Sequence, residues 1–433
     1  MMLYIGISAP VVEFVTLVLT SQRGILESYL LWILSVWGIQ DAFGVLLSLI
    51  LQPILGFERL SHYQEQYGEL KQRYGKTIPL CGVQKLRALL HRIGDSMLGW
   101  KLMLFQSQLI RHRAPALLLT GQNVRDRLGR VLDIDVTTVL SFANNREGAE
   151  PGFNRRYKGK PCFQFSASFI GKLFVDGKLF GGLTNPKYFF QQAVKRVIAL
   201  GYRIAVVRAD SAYGTVANIV FLLAHSLGFA IGMPGTFNVV KDGKARLKRL
   251  ARRKHSSLVA LSKGVTGLDC GWVEIAPGVL VRLVIIRRIT RRKHRKTGKW
   301  KIKVYYYAIA TNLDLTPLQL YRFYHARQRI EAGFRELKRH YALERLPVSS
   351  FKGNEFAILC KMFAMTLMKL FQYEMLPTTL RSLLFKTFVR RVLARGLRMT
   401  HQFQVEVCRK SKYRWALQRM LCKLSRMKVA LSP

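Results

Sequence analysis

Acidic residues are scarce in this chain: 24 Asp and Glu stand against 70 Lys and Arg in 433 residues. A compact body with the resulting formal charge of +46 repels itself unless a polyanion neutralises it, and nucleic acid is the abundant cellular polyanion. The basic residues run through the whole chain and not along one amphipathic helix, which disfavours a membrane-surface protein. Cysteine is sparse as well. Cys81, Cys162, Cys270, Cys360, Cys408 and Cys422 include no C-x-x-C pair, which argues against a zinc site and a disulfide framework and suits a reducing cytoplasm. Apolar runs of bilayer length are also missing near the N-terminus. Residues 1–20 are interrupted by Pro10 and Glu13 with no basic segment before them, against a signal peptide. The stretch 29–55 is split by Gln40 and Asp41 and broken by Pro53, so each run is shorter than the ~20 residues a span needs. It reads as two buried helices. There is no internal repeat.

What is present is a globular composition, half hydrophobic, in a chain long enough for two or three domains. Residues 1–125 show apolar positions at helical spacing. From Val131 the pattern alternates, with Leu132, Ile134 and Val136 on one face and Asp133, Asp135 and Thr137 on the other. A hairpin is expected next, strands 163–175 and 178–183 around a turn at Asp176-Gly177. A helix over 186–200 follows, capped by Asn185 and stopped by Gly201. Then come a buried strand over 203–209 ending at Asp210, a helix over 214–227 and a strand over 229–233. Three antiparallel strands, helix, strand, helix, strand is the ribonuclease H-like order, a mixed sheet flanked by helices. After a basic stretch at 244–254, strand-like runs at 271–275, 279–289 and 300–309 read as a β-rich insertion. A long helix, 317–341, then returns to the main fold.

Asp135 and Asp210 lie on strands that this topology makes neighbours, and Glu331 lies on the long helix. Converging carboxylates repel unless cations sit between them, and oxygen-only ligands suit Mg²⁺ or Mn²⁺. Two such ions stabilise the attacking and leaving oxygens of a phosphodiester displacement. Read alone, each aspartate is an ordinary strand-end residue. The helix adds the sharper pattern, Tyr324-x2-Arg327-x3-Glu331-x6-Lys338. At about 100° per residue the four side chains fall within roughly 60° of one another, beside an apolar stripe containing Ile330, Phe334 and Leu337. Simple solvated ion pairing, such as Glu331 with Arg335, does not require this tyrosine or this wide spacing. On composition alone, Asp133 competes with Asp135, because the two share a strand face.

This signature resembles the Y-x2-R-x3-E-x6-K motif of bacterial insertion-sequence DDE transposases. The likeness extends to Asp135-Val-Thr-Thr and to Ala209-Asp-Ser-Ala-Tyr-Gly214, and covers roughly residues 20–370. The family's D-x-T pattern favours Asp135 over Asp133. The resemblance implies metal-dependent cutting and joining of double-stranded DNA at terminal inverted repeats, with Asp135, Asp210 and Glu331 as catalytic metal ligands for two Mg²⁺ (or Mn²⁺) ions. It implies phosphate contacts from Arg327 and Lys338, with Tyr324 packed beside them. It also implies base stacking on an insertion-domain aromatic, for which Trp300 and Trp272 are candidates; packing between strands is the plainer expectation for either. The implied organisation is a helical N-terminal DNA-binding domain (1–125), a first part of the ribonuclease H-like core (126–235), a β-rich basic insertion (236–310), a second part of the core carrying the Glu helix (311–370) and a basic helical C-terminal region (371–433). A homodimer holding two DNA ends, no membrane, and a bacterial, nucleoid-associated location complete the expectation. Its rivals are a catalytically inactive transposase-derived DNA-binding protein and a related ribonuclease H-like metal-dependent nuclease.

Overall fold

The computed structural model describes residues 9–21, 42–74, 79–94, 97–119, 130–143, 145–152, 157–253, 255–293, 298, 300–393, 397–399, 405–408 and 411–431. Five helices come first: α1 (Ala9–Ser21), α2 (Ala42–Ile54), α3 (Leu60–Tyr74), α4 (Val83–Arg92) and α5 (Leu98–Arg113). They match the helical reading of the N-terminal quarter; residues 22–41, part of the stretch expected as two buried helices, lie outside the described residues. The sheet then begins with β1 (Val131–Leu140), β2 (Glu150–Pro151), β3 (Pro161–Ile170) and β4 (Leu173–Gly181). Helix α6 (Phe190–Ala199), β5 (Val206–Ala209), α7 (Val216–Ala224) and β6 (Gly228–Met233) follow. In the sheet β4 pairs β3 and the order runs β3-β1-β5-β6. β1 is antiparallel to β3 but parallel to β5, and β5 is parallel to β6. The expected order of elements is therefore present.

The expected hairpin turn at Asp176-Gly177 is not where the chain reverses. Ile170 pairs with Leu173, so the two-residue turn is Gly171-Lys172. Gly171 has φ +63°, and a Cβ there would lie 2.3 Å from the Leu117 carbonyl oxygen, so only glycine fits. Asp176 sits inside β4, buried, where both carboxylate oxygens accept from Arg196 of α6 at 2.7 and 2.8 Å. A buried, bidentately paired aspartate outweighs the local Asp-Gly signal.

After β6 the basic stretch forms the end of a helix, α8 (Asn238–Arg252), which the sequence reading left without structure. Strands β7 (Val259–Ser262), β8 (Val265–Ala276), β9 (Val279–Lys293) and β10 (Trp300–Thr311) then continue the same sheet, because β10 pairs antiparallel with β6. Only Ala308–Thr311 of β10 lies against β6. The eight residues 300–307 pair with β9 alone and extend beyond the end of β6, a reach of about 26 Å at ~3.3 Å per residue.

The long helix expected over 317–341 is two helices, α9 (Pro317–His325) and α10 (Gln328–His340). α9 starts at a capping box between Thr316 and Gln319 with Pro317 in its first turn. The break has an identifiable cause. In an unbroken α-helix the Phe323 carbonyl accepts from the Arg327 N–H. Here Arg208 of β5 donates its Nη1 to that carbonyl, and the Arg327 N–H turns to the Tyr324 carbonyl at 3.0 Å. Arg208 is itself fixed by Asp133 of β1, whose two oxygens accept from it at 2.6 Å each, and its guanidinium stacks on the Phe323 ring 4.8 Å from the centroid.

Helix α11 (Phe351–Met375) runs through the core. Its Phe371 meets Phe14 of α1 at 5.3 Å between ring centroids, and its Phe363 meets Phe105 of α5 at 5.8 Å. Among the described residues it alone is long and apolar enough to cross a bilayer, but 89% of that apolar window is buried inside the protein. Its surface is thus the surface the N-terminal helices and the sheet need. The C-terminal region is not purely helical: two short strands, β11 (Leu397–Met399) and β12 (Val405–Val407), pair before the last helix, α12 (Arg414–Leu431).

Arg208 and Asp133 are both almost fully buried. Arg208→Met is expected to cost about 3–5 kcal/mol, because it strands a buried carboxylate and leaves the Phe323 carbonyl without its donor. The double change Asp133→Leu with Arg208→Met should recover a large part of that loss. Urea unfolding of the three variants measures this; a loss below about 1 kcal/mol in Arg208→Met would refute the role given to the pair.

Candidate active site

Three acidic side chains from three elements act on one guanidinium, that of Arg327. Asp135 lies in the middle of β1, Asp210 directly follows the last residue of β5, and Glu331 lies in the first turn of α10. The parallel register of β1 and β5, Ile134 opposite Ala209, brings the two aspartates to the same level of the sheet. Asp133 takes no part in this group, since both its oxygens are held by Arg208 on the buried side. The two residues lie on one face of the pleat and differ in partner: Asp133 is held by Arg208, Asp135 by Arg327. Asp133 is nearly inaccessible; the Asp135 side chain retains 15% exposure and that of Glu331 48%.

Arg327 stands between the carboxylates. Its Nη1 donates to Asp135 Oδ2 at 2.8 Å and its Nη2 to Glu331 Oε1 at 3.2 Å. Burial works against the Arg327 charge, but Asp135, Tyr324, Asp210 and Glu331 together outweigh it and hold its pKa above the ordinary value. Burial pushes the Asp135 carboxyl up to about 6; Arg327 and the Val136 N–H draw it back, and the neighbouring Asp210 adds to the rise. Asp210 is oriented by the Ala212 N–H, which donates to its Oδ1 at 2.9 Å.

Two tyrosines close the group. Burial raises the pKa of Tyr324, with Arg327 opposing and Asp210 and Asp135 adding. Gly232 of β6 makes room for this ring: a Cβ at 232 would lie 2.7 Å from the Tyr324 hydroxyl and 2.8 Å from the Ser211 N. Tyr213 is buried, and burial followed by Asp135 and Asp210 raises its pKa, with a hydrogen bond to Ser166 opposing. Lys338, two turns after Glu331, donates to the Thr138 carbonyl at 2.8 Å and pairs with Glu344 at 2.9 Å. It ties α10 to β1 beyond the carboxylates.

Trp300 and Trp272 are not packed between strands. They are 68% and 59% exposed, which overturns the expectation of strand packing. Trp300 begins the overhanging part of β10, at the far end from β6 and the carboxylates. Sequence reasoning missed Arg208, Tyr213 and Gly232. Arg208 did leave a signal, a lone cation inside an otherwise apolar strand; Gly232 left none, because its role depends on a ring that arrives from a distant helix.

Among the described residues, no three His, Cys, Asp or Glu side chains stand close enough together to share a metal ion. The chemistry of the group nevertheless suits a hard cation. Every acidic donor is a carboxylate oxygen, and a guanidinium already stands in as a cation against two of them.

A family model described as transposase DDE domain group 1 matches residues 123–429, well over half of the chain. No curated protein matches the sequence. Among solved structures, the chain is similar to a piggyBac transposase in a synaptic complex with hairpin DNA, seen by cryo-EM. The identity is 10% and the TM-score 0.42, over 88% of this chain and 74% of that one.

Arg327→Met removes the guanidinium that holds the Asp135 charge. In metal-free protein the Asp135 carboxyl should then titrate higher still than about 6, since a lowering influence is lost while burial and Asp210 remain. A carbon-13 carboxyl titration by NMR reads this directly; an unchanged or lowered midpoint would mean that Arg327 is not the counter-ion of Asp135.

Proposed function

We propose that this chain, which belongs to the transposase DDE domain group 1 family, cuts double-stranded DNA at the ends of a mobile insertion sequence and joins them to a target. The observation that carries this reading is the approach of Asp135, Asp210 and Glu331 around one guanidinium. Domains of this family use divalent metal ions. Here the three carboxylates would hold two Mg²⁺ or Mn²⁺ ions, and the closure of Asp133 by Arg208 favours Asp135 as the first of them. Bound ions would activate water or a DNA 3′-hydroxyl and neutralise charge on the phosphodiester.

The chain's own residues prepare the site. Arg327 holds Asp135 and Glu331 in place of an ion, and on release its planar fork suits a phosphate bidentately. Tyr324 fills the space left by Gly232 and orders the turn that carries Asp210. Lys338 has two partners already, which favours a part in fixing α10 on β1; gripping a phosphate requires it to leave Glu344. The order β4-β3-β1-β5-β6 supports the ribonuclease H-like reading of the core. The overhanging strands, with Trp300, Lys301 and Lys303 all exposed, suit the bases and backbone of DNA, where an aromatic platform contributes ~1–3 kcal/mol per stacked base. The N-terminal helices would bind the terminal repeats, and a homodimer would hold two ends.

Labelled duplexes spanning the DNA on either side of the gene, incubated with Mg²⁺ or Mn²⁺, test the proposal. Cleavage at a matching inverted sequence on both sides is expected, reduced at least ~100-fold in Glu331→Gln, more than loss of an outer-shell partner costs. Binding without cleavage by either protein would identify a disabled descendant. Cleavage that survives the substitution would remove Glu331 from the site.

A further inference from the structure

Away from the carboxylates lies an open cavity of about 320 Å³. Its walls come from α2 and the residues after it, from α4, from the chain after β1, from the loop between α10 and α11, and from α11 itself. The lining is strongly biased in charge, with Arg59, Arg87, Arg146, Arg345 and Lys361 against two carboxylates, Glu58 and Glu344. Both carboxylates already face a cation: Glu344 lies 2.9 Å from Lys338 and Glu58 lies 3.9 Å from Arg345.

Among the described residues, two of the cations are held by neutral acceptors. Arg146 donates to the Leu346 carbonyl at 2.8 Å, the Val348 carbonyl at 3.3 Å and the Ser141 hydroxyl at 3.3 Å. Lys361 is 4% exposed and donates to the Ala342 and Arg345 carbonyls at 2.8 and 2.7 Å. An ammonium has three donors, so one remains. A buried cation without an opposite charge is costly, and burial, reinforced by Arg146 and Arg345 and opposed by Cys360, draws the Lys361 pKa down to about 7. The carbonyls fix both cations in place without cancelling their charge. The outcome is a concave, preorganised positive site whose missing component is an anion with several acceptor oxygens.

The geometry points to a phosphate-binding site in this cavity, separate from the carboxylate centre. Arg146, Lys361 and the rim residues Arg59 and Arg87 are its donors. The phosphate comes either from a DNA backbone or from a small free phosphate; the DNA source rests on the proposed transposase reading, the site itself does not. Phe142, at the cavity edge and 65% exposed, offers a ring face next to the cations, as a nucleotide would use.

Calorimetric titration of the full chain with inorganic phosphate, at constant ionic strength, tests the site. Arg59 and Arg87 are exposed, so Arg59→Gln with Arg87→Gln removes two donors without opening the core. A saturable phosphate site that weakens at least ~10-fold in the double variant is expected, given the strength of charge-assisted bonds. No saturable binding, or equal affinity in both proteins, overturns the proposal. The source is read on a short duplex. If DNA supplies the phosphate, the slope of log affinity against log salt should fall by about 2 in the double variant. An unchanged slope, with phosphate binding still weakened, assigns the site to a free phosphate. None of these readouts involves cleavage, so this site and the cleavage assignment stand or fall separately.

Discussion

The arrangement of the site depends on one buried ion pair that is not part of it. Asp133 and Arg208 join β1 to β5 from within, and Arg208 then takes the carbonyl that would otherwise continue a helix. Removing that acceptor converts a single long helix into two. The turn between them contains Arg327, and its position there, rather than in mid-helix, lets one guanidinium reach Asp135 on the sheet and Glu331 one turn later. A charged pair of this kind contributes little net stability. Its value lies in geometry: it decides where a helix bends.

Much of this arrangement was legible in the residues. The alternation of β1, the apolar run ending at Asp210 and the phase of Tyr324, Arg327, Glu331 and Lys338 along a helical face assigned the acids to two strands and a helix, and all three act on Arg327. The pattern could not show that the helix breaks, because the cause is Arg208, more than a hundred residues away in sequence. It misplaced the β3–β4 turn for a related reason. Asp176-Gly177 looks like a turn locally, and only the arrival of Arg196 makes that aspartate an interior residue. Local signals fail where a distant partner changes what a residue costs to bury.

The two chemically distinct regions follow from one shortage. With so few acids available, most cations have no carboxylate to meet, and the fold places its acids where they act on structure or on a site: Asp133 on Arg208, Asp176 on Arg196, Asp135 and Glu331 on Arg327. Arg113 with Glu374, Arg282 with Asp269 and Lys369 with Glu336 follow the same rule, while Arg146 and Lys361 are held by carbonyls and a hydroxyl. A protein built this way presents positive potential by default and negative potential only by placement, and its carboxylate centre is a local inversion of its own field.

The overhanging two thirds of β10 also has a mechanical meaning. It is a cantilever, anchored on β6 at Ala308–Thr311 and supported by β9 alone out to Trp300. Its anchored end includes Ile309, directly opposite Gly232, the residue against which the Tyr324 ring rests. Rows of backbone hydrogen bonds resist sliding along the strand, so a load applied at the tip reaches that contact as shear and is not dissipated in a loop. The arm and the wall of the carboxylate centre are thus two ends of one strand.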